Sequence, residues 1–470
     1  MTPLVWLGVW AFVISLVLTP ILRDVFRSYG VVDQPDAGRK AHPYPIPRIG
    51  GIAVFFAYFV SFLISYYGAK GFNQRELSLV WALVPASLVV FAVGLIDDFI
   101  GLKPWQKIAG QLVAAVMAWG AGVRMLALAG HSTEWWSFPL TIVWLLACTN
   151  AFNLVDGMDG MAAGVGLFAT LTIFTAAMLQ NNLALACATL PLAGCLLAFL
   201  CFNFNPATVF LGDGGSLLIG FLLGCYGVVW SNKAVTMLGM AAPLIALSIP
   251  LLDVLLAMVR RFLRRQPIFG ADRGHIHHRL IDRGLTPRRA VMLVYSVCGL
   301  AAALSLIQSF TRNFYLAMLV AMLFCIVAWI GVRYLSYSEF TLAGRIVRTG
   351  EFQRLLNTQL EIEDFSHALG AAADLEACWN VIRAHYRSFG FSAIRMQAGS
   401  SAWRDGDDAG AGPPDVWTVR IPLNERDYVE AAREFGSPSM PPAVTAFADT
   451  LRRGVAGRLL PAARGAAGAS

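Results

Sequence analysis

Charge is scarce in this sequence. Asp, Glu, Lys and Arg make up 14% of its 470 residues, against about 25% in an average soluble protein, while 57% are hydrophobic. An ordinary soluble enzyme is thereby excluded, because a single core stops growing near about 250–300 residues and cannot bury such an excess. A mean hydropathy of +0.61 assigns the surplus to lipid and makes the chain a polytopic membrane protein. Paired cysteines are missing as well. Seven of the eight, Cys148, Cys187, Cys195, Cys201, Cys225, Cys298 and Cys325, lie in apolar runs, and only Cys378 falls in polar sequence. Without a Cys-x-x-Cys pair neither a disulfide framework nor a zinc ribbon is expected, and the cysteines read as small core residues. The first apolar run has no Lys or Arg before it and no small-residue cleavage site after it, so it reads as a membrane span rather than a removed signal peptide. The excess of 36 Lys and Arg over 29 Asp and Glu suits loops beside anionic headgroups, and nucleic acid is not an expected partner.

Stretches of about 20 apolar residues, the length a membrane span needs, begin near Pro3, Ile49, Ser78, Ile108, Ser137, Gly160, Leu183, Thr208, Ala234, Val291 and Tyr315. The loops between them alternate in charge. Those after the odd-numbered spans carry sixteen basic residues: Arg23, Arg27, Arg39, Lys40, Arg48, Lys103, Lys107 and the nine arginines from Arg260 to Arg289. The others carry five, Lys70, Arg75, Arg124, Lys233 and Arg312. Positive loops stay in the cytoplasm, so the N-terminus is expected outside. The predicted fold is an all-α polytopic membrane protein of about eleven transmembrane helices with a small cytoplasmic α+β appendage.

The expected domains are a membrane part over 1–335, a cytoplasmic part over 336–453 and a disordered Ala, Gly and Arg-rich tail over 454–470. In the cytoplasmic part, Glu351 to Tyr386 has helical periodicity with Leu355, Leu356, Leu360 and Phe365 on one face. Ser392–Met396 and Val416–Ile421 alternate as strands do, and the Gly, Asp and Pro-rich stretch Asp405–Pro414 reads as the loop between them.

The polar clusters all fall on the cytoplasmic side of this topology. The segment Lys40-Ala-His42-Pro-Tyr-Pro-Ile-Pro-Arg48 is a proline-stiffened loop whose cations would meet either a phosphate or anionic lipid. Asp97-Asp98 close the third span, with Lys103 and Lys107 following. Adjacent carboxylates at a membrane boundary call for a cation, which a metal-bound diphosphate with a lysine would supply; a solvated helix end is the plainer reading. In Asn153-Leu-Val-Asp156-Gly-Met-Asp159-Gly, polar residues recur every third position around two Asp-Gly turns. The spacing excludes an EF-hand, which needs twelve residues and a closing Glu. Asp213 lies inside an apolar run among three glycines, where a magnesium ligand is expected, since magnesium takes hard oxygens and keeps water; helix-packing glycines are the alternative. No Gly-Lys-Ser follows, which rules out a Walker loop. Last comes a basic loop, Arg260-Arg261-Phe-Leu-Arg264-Arg265 and then Asp272-Arg-Gly-His275-Ile-His277-His278-Arg279, suited to a nucleotide diphosphate or to a topological arginine belt. A zinc site is the weaker reading because no Cys or Glu accompanies the histidines. Asp253, a lone acid in the ninth span, has no assignment from sequence.

Taken together, Asp97-Asp98, Asn153-x-x-Asp156-x-x-Asp159, Phe210-Leu-Gly-Asp213-x-Gly-Ser216 and His275-Ile-His-His278 resemble the motifs of the polyprenyl-phosphate N-acetylhexosamine-1-phosphate transferases over about residues 1–335. The resemblance implies ten or eleven helices and transfer of a sugar 1-phosphate from a UDP-sugar to undecaprenyl phosphate at the cytoplasmic face of the bacterial inner membrane. UMP is released and Mg2+ is required, with Mn2+ as a substitute. It implies that Asp213 is the metal ligand and that Asp97 and Asp98 handle the lipid phosphate and metal-diphosphate. Asn153, Asp156 and Asp159 are implied as nucleotide and substrate contacts, and Lys107, His275, His277 and His278 as diphosphate binders. Lys40, His42, Arg48 and Arg265 complete the expected substrate-binding set. The Asp272-Arg-Gly-His-Ile-His-His form is similar to the branch that uses UDP-N-acetylglucosamine or a related small amino sugar to begin a cell-surface glycan. The lipid bilayer is the expected partner, and a homodimer is compatible with the sequence. An ion-coupled transporter is the alternative from another class, because intramembrane acids also mark ion pathways; two matching halves with broken helices, which such transporters show, are not found in the sequence.

Overall fold

A computed structural model describes residues 2–33, 45–68, 72, 76–125, 134–231, 240–263, 266, 274–311, 313–335, 351–406, 416–424, 426–434 and 444–455. The chain divides into two compact units, Met1–Tyr337 and Ser338–Ser470.

Among the described residues, every regular element of the first unit is a helix, apart from an isolated β-bridge between Asp33 and Ile46. Its elements are α1 (Thr2–Ser28), α2 (Gly50–Gly68), α3 (Ser78–Ile100), α4 (Pro104–Gly120), α5 (Glu134–Val155), α6 (Met161–Leu179), α7 (Leu183–Asn203), α8 (Gly212–Ser231), α9 (Ala241–Ala246), α10 (Ser248–Leu263), α11 (Ile276–Asp282), α12 (Pro287–Phe310) and α13 (Phe314–Tyr334). Among the described residues nine helices, α1–α3, α5–α8, α12 and α13, are long and apolar enough to cross a membrane. The eleven expected spans differ from these nine at two places. The span expected from Ile108 is α4, a helix of 17 residues. The one expected from Ala234 is the broken pair α9 and α10, interrupted at Leu247. Pro250 accounts for that break, since it gives no N–H to the carbonyl of Ala246.

Helix α8 is the centre of this unit. Its apolar window is 94% buried, whereas that of α13 is 11% buried, so the one is walled by protein and the other leaves most of its apolar side chains uncovered, as a helix face turned to lipid would. Helices α2, α3, α5, α6, α7 and α9 all pack on α8. Gly94 of α3 makes one of these approaches possible. A Cβ there would stand 2.5 Å from the carbonyl oxygen of Asp213 and 2.6 Å from the Cα of Gly214, which no side chain permits. The apolar-run cysteines divide by environment: Cys148, Cys187, Cys195, Cys225 and Cys298 are buried, while Cys201 and Cys325 are exposed.

The second unit contains α14 (Glu351–Ala371), α15 (Leu375–His385), four strands and a last helix, α16, over 444–455. The strands β1 (Ala393–Ala398), β2 (Ser401–Gly406), β3 (Val416–Pro422) and β4 (Tyr428–Glu434) form an antiparallel sheet in the order β2-β1-β4-β3. Ile394 and Met396 of β1, with Val429 and Ala431 of β4, pack with Phe365, Phe389 and Phe447 in one apolar core. Cys378, despite its polar sequence neighbours, is fully buried there.

Sequence periodicity misplaces several details of this unit. The expected helix 351–386 is two, and Asp374 caps the second by accepting from the Ala377 N–H at 2.7 Å. Leu360, expected on the core face with Phe365, is 53% exposed, because five residues at about 100° each turn it well away from the face that Ile362, Phe365 and Leu369 present to the core; Leu355 and Leu356 have side chains outside the described set. Strands β2 and β4 were not expected. The Ala- and Glu-containing β4 has the composition of a helix, and pairing on both sides overrides it. Residues Asp405 and Gly406, expected in a loop, end β2. The tail expected from Gly454 begins inside α16, whose Val455 is buried.

Candidate active site

The polar site gathers where α3 and α5 end and where α4, α6 and α8 begin. Its first component is a reversal. Helix α3 stops at Gly101, a residue with φ +74°, and α4 restarts at Pro104, which needs no N–H in a first turn. That reversal carries Lys107 back beside the end of α3. Asp97 accepts the Leu102 N–H through Oδ1 at 2.6 Å and holds Lys107 Nζ through Oδ2 at 2.5 Å. Lys107 Nζ also lies 2.5 Å from Oδ2 of Asp213. Two carboxylates from helices far apart in sequence thus converge on a single cation.

Asp213 is fixed from its other side. Asn153, in the last turn of α5, donates Nδ2 to Asp213 Oδ1 at 2.9 Å and to Ser216 Oγ at 3.0 Å. Asp98 has a different task from Asp97. Its Oδ1 accepts the N–H of Asp213 and its Oδ2 that of Gly214, each at 2.9 Å, so its carboxylate closes the first turn of α8, where unpaired amides and the helix dipole both favour a negative group. Adjacent acids therefore divide the work: Asp98 anchors the helix start and Asp97 faces the cation.

The loop from Asp156 to Gly160 lies beside this group. Desolvation pushes the Asp156 carboxyl well up, and the neighbouring carboxylates of Asp213 and Asp98 push the same way, against the pull of Arg48. Asp159 accepts Asn205 Nδ2 and the Ala207 N–H on Oδ2, both at 3.0 Å, and ties this loop to the segment before α8. The Gly160 N–H donates to Asn203 Oδ1 at 3.1 Å, and Tyr295 donates to the Gly160 carbonyl at 2.6 Å. Arg48, half exposed, pairs with Asp33 at 3.0 Å.

The histidine motif meets the same loop. A Cβ at Gly157 would stand 2.5 Å from His277 Nε2, so the ring lies directly on that glycine. His277 is buried, its Nδ1 has no hydrogen-bond partner, and desolvation pushes it down to about 4, leaving it neutral near pH 7. The His278 ring is 4.2 Å from that of His277. His275 Nδ1 is 3.0 Å from Asp253 Oδ2.

Of the residues expected from sequence, the fold brings Asp97, Asp98, Lys107, Asn153 and Asp213 into one contact network, with Asp156 and Arg48 in its electrostatic field. Asp159 and His277 hold the adjoining loop. Lys40, His42 and Arg265 lie outside the described residues. Asn203 and Asn205 stand in the stretch leading to Asp213 but have no role assigned from sequence, Tyr295 carries no signal of its own, and Asp253 is left unassigned although an acid inside an apolar run flags itself.

Among the described residues no group of three or more His, Cys, Asp and Glu side chains is arranged to hold a metal ion. The donor set of Asp97 and Asp213, two hard carboxylates converging on one cation, does fit magnesium, which takes one or two carboxylates and completes its shell with water and substrate phosphates.

Fold and site together define a multi-pass helical membrane protein whose ionic centre lies where several spans end. A family model described as glycosyl transferase family 4 matches residues 80–231, the stretch from α3 through α8 that carries Asp97, Asn153 and Asp213. The chain is 33% identical over 298 residues to a probable undecaprenyl-phosphate N-acetylglucosaminyl 1-phosphate transferase of Bacillus subtilis, covering 61% of this chain and 81% of the relative. It is 34% identical over 327 residues to a decaprenyl-phosphate N-acetylglucosaminephosphotransferase of Mycobacterium tuberculosis, covering 63% and 80%. With an undecaprenyl-phosphate alpha-N-acetylglucosaminyl 1-phosphate transferase of Yersinia pestis it shares 32% over 319 residues, covering 64% and 82%. The chain belongs to glycosyl transferase family 4. None of these relatives is a transporter by name.

Proposed function

We propose that this protein transfers N-acetylhexosamine 1-phosphate, with N-acetylglucosamine 1-phosphate first among the candidates, from a UDP-sugar to undecaprenyl phosphate, and so begins a cell-surface glycan. The observation that carries the proposal is the convergence of Asp97 and Asp213 on the Lys107 ammonium at the ends of membrane-crossing helices. The names of the aligned relatives supply the substrate class.

In this reading a lipid-phosphate oxygen attacks the β-phosphorus, the bond from that phosphorus to the UMP oxygen breaks, and UMP leaves with the electron pair. A phosphate monoester with a second pKa near about 6 is already largely dianionic at pH 7, so no carboxylate has to act as its base. Positioning and charge neutralisation then dominate. Asp97 and Asp213 would hold Mg2+, with Mn2+ as a substitute, and the bound cation would screen the diphosphate and stabilise charge on the leaving group. Lys107, at the same carboxylates, would neutralise a phosphate oxygen of the substrate. Asp98 and Asn153 keep Asp213 in place, and Asp156 borders the same space. Arg48 and the histidine motif, with Lys40, His42 and Arg265 from the sequence, form the cationic rim for the two phosphates.

The topology belongs to the same proposal. With α4 and the α9–α10 pair also crossing, the chain has eleven spans, its N-terminus outside and this site in the cytoplasm; the sixteen to five division of basic residues supports that orientation.

The test is UMP release by purified protein in detergent with undecaprenyl phosphate and a panel of UDP-sugars. Release is expected to need lipid, magnesium and one UDP-amino sugar, and to fall by about 10²–10³ in Asp213→Asn, as when a preorganised charge partner is lost. Folded protein that releases UMP with none of the donors overturns the proposal.

A further inference from the structure

Asp253 sits on α10 and is only 1% exposed. It takes no part in the contacts of Asp97, Lys107 and Asp213. Both of its carboxylate oxygens are nevertheless engaged, and on consecutive residues. Oδ2 lies 3.0 Å from His275 Nδ1, and Oδ1 accepts the Ile276 N–H at 2.8 Å, the amide that opens α11. Two turns further along the same face of α10, Arg260 donates to the Gly274 carbonyl at 2.9 Å. Residues i and i+7 of one helix thus grip three successive residues, 274, 275 and 276. Gly274 is shaped for this grip, since a Cβ there would stand 2.2 Å from the Arg260 guanidinium carbon. Arg260 is itself 2% exposed.

The grip has a chemical consequence. A carboxylate on Nδ1 fixes the imidazole's orientation and leaves Nε2 as the ring nitrogen for anything else. It also compensates the positive ring that a phosphate oxygen on Nε2 would call for. His277, two residues on, is neutral and packed on Gly157, so the two histidines of the motif are not equivalent.

We propose that Asp253 is a positioning residue that, with Arg260, holds His275 for the diphosphate of the nucleotide donor; this rests on the function proposed above. The role would be exercised through His275, without contact between Asp253 and the donor.

The experiment is equilibrium binding of UDP to the full chain in detergent, by calorimetry, for the wild type, Asp253→Asn, His275→Gln and the double variant, with UMP release and thermal unfolding in parallel. Asn keeps an acceptor for the Ile276 N–H but turns an amide donor toward His275, so it separates the helix-capping role from the ring-orienting one. Asp253→Asn and His275→Gln are each expected to weaken UDP binding about tenfold, the scale seen when a carboxylate behind a ligating histidine is removed. The double variant is expected to bind no more weakly than the weaker single, because both act through one ring. Asp253→Glu, which restores the charge at a longer reach, is expected to fall between wild type and Asn, and it carries the test if the Asn protein does not fold. Unchanged UDP affinity in folded variants, or losses that add, overturns the inference. A wild type that binds UDP with this coupling but releases no UMP overturns the transfer reaction alone, whereas a wild type that binds no UDP overturns both.

Discussion

The charge balance around Lys107 is the residue-level fact from which most follows. One ammonium stands between Asp97 and Asp213, and all three side chains are largely buried. Removing one partner of a buried ionic group leaves the others uncompensated, at a cost of about 3–5 kcal/mol. Lys107→Met is therefore expected to lower the unfolding midpoint strongly in chelator and to regain much of it when magnesium is added, a rescue that thermal unfolding with and without the metal reads directly. If magnesium gives that variant no more stabilisation than the wild type, the two carboxylates do not form a cation site. His277 makes a separate prediction. Its folded value is about 4 and an unfolded histidine titrates near about 6.5, so between those values the unfolded chain binds more protons. Stability should then fall as pH drops from about 6.5 to 4, by on the order of 3 kcal/mol in total. His277→Gln is expected to flatten that slope in unfolding midpoints measured against pH.

At the scale of elements, the site depends on how closely α3 approaches the start of α8. Gly94 faces backbone there, at 2.5 Å from the Asp213 carbonyl oxygen, so a methyl group has no flexible side chain to push aside. Gly94→Ala is expected to part the two helices, lengthen the amide contacts of Asp98 and cost about 1–3 kcal/mol, the range for an overpacked interior. UMP release should fall further than stability does, because Asp213 moves with the helix; a variant of wild-type activity and stability would show that the approach is not tight. The membrane helices were legible in the sequence because a run of about 20 apolar residues is its own signal. The strands of the second unit were legible only where side chains alternate. Tyr428–Glu434, with its Ala and Glu residues, carries no such signal, and is a strand because β1 and β3 pair with it on both edges. Leu360 shows a related limit: an apolar residue five positions before Phe365 lies off the face that Ile362, Phe365 and Leu369 present to the core, and only the packing shows which face that is.

For the molecule as a whole, the contacts that build the site lie within the unit Met1–Tyr337, and the second unit has its own apolar core. A chain ending at Tyr337 is expected to release UMP at a rate close to that of the full chain, and residues 338–470 expressed alone are expected to melt cooperatively in circular dichroism. Loss of turnover on truncation, in a membrane unit that remains folded, would assign the second unit a part in the reaction. The amino-acid sequence determined the membrane class and the residue types of the centre, because hydropathy and carboxylates at span ends are local properties of the chain. It also brought forward Asp97, Asp98, Asp156, Asp159 and Asp213, since acids where apolar runs end are costly unless used, and Asn153 through its three-residue spacing from Asp156. Only the tertiary structure decided what each of them does. Asp98 caps a helix more than a hundred residues away, Asp159 ties a loop, Asp97 and Asp213 share one lysine, and Asp253 holds a histidine, because partners so far apart in sequence are chosen by helix packing and not by spacing along the chain.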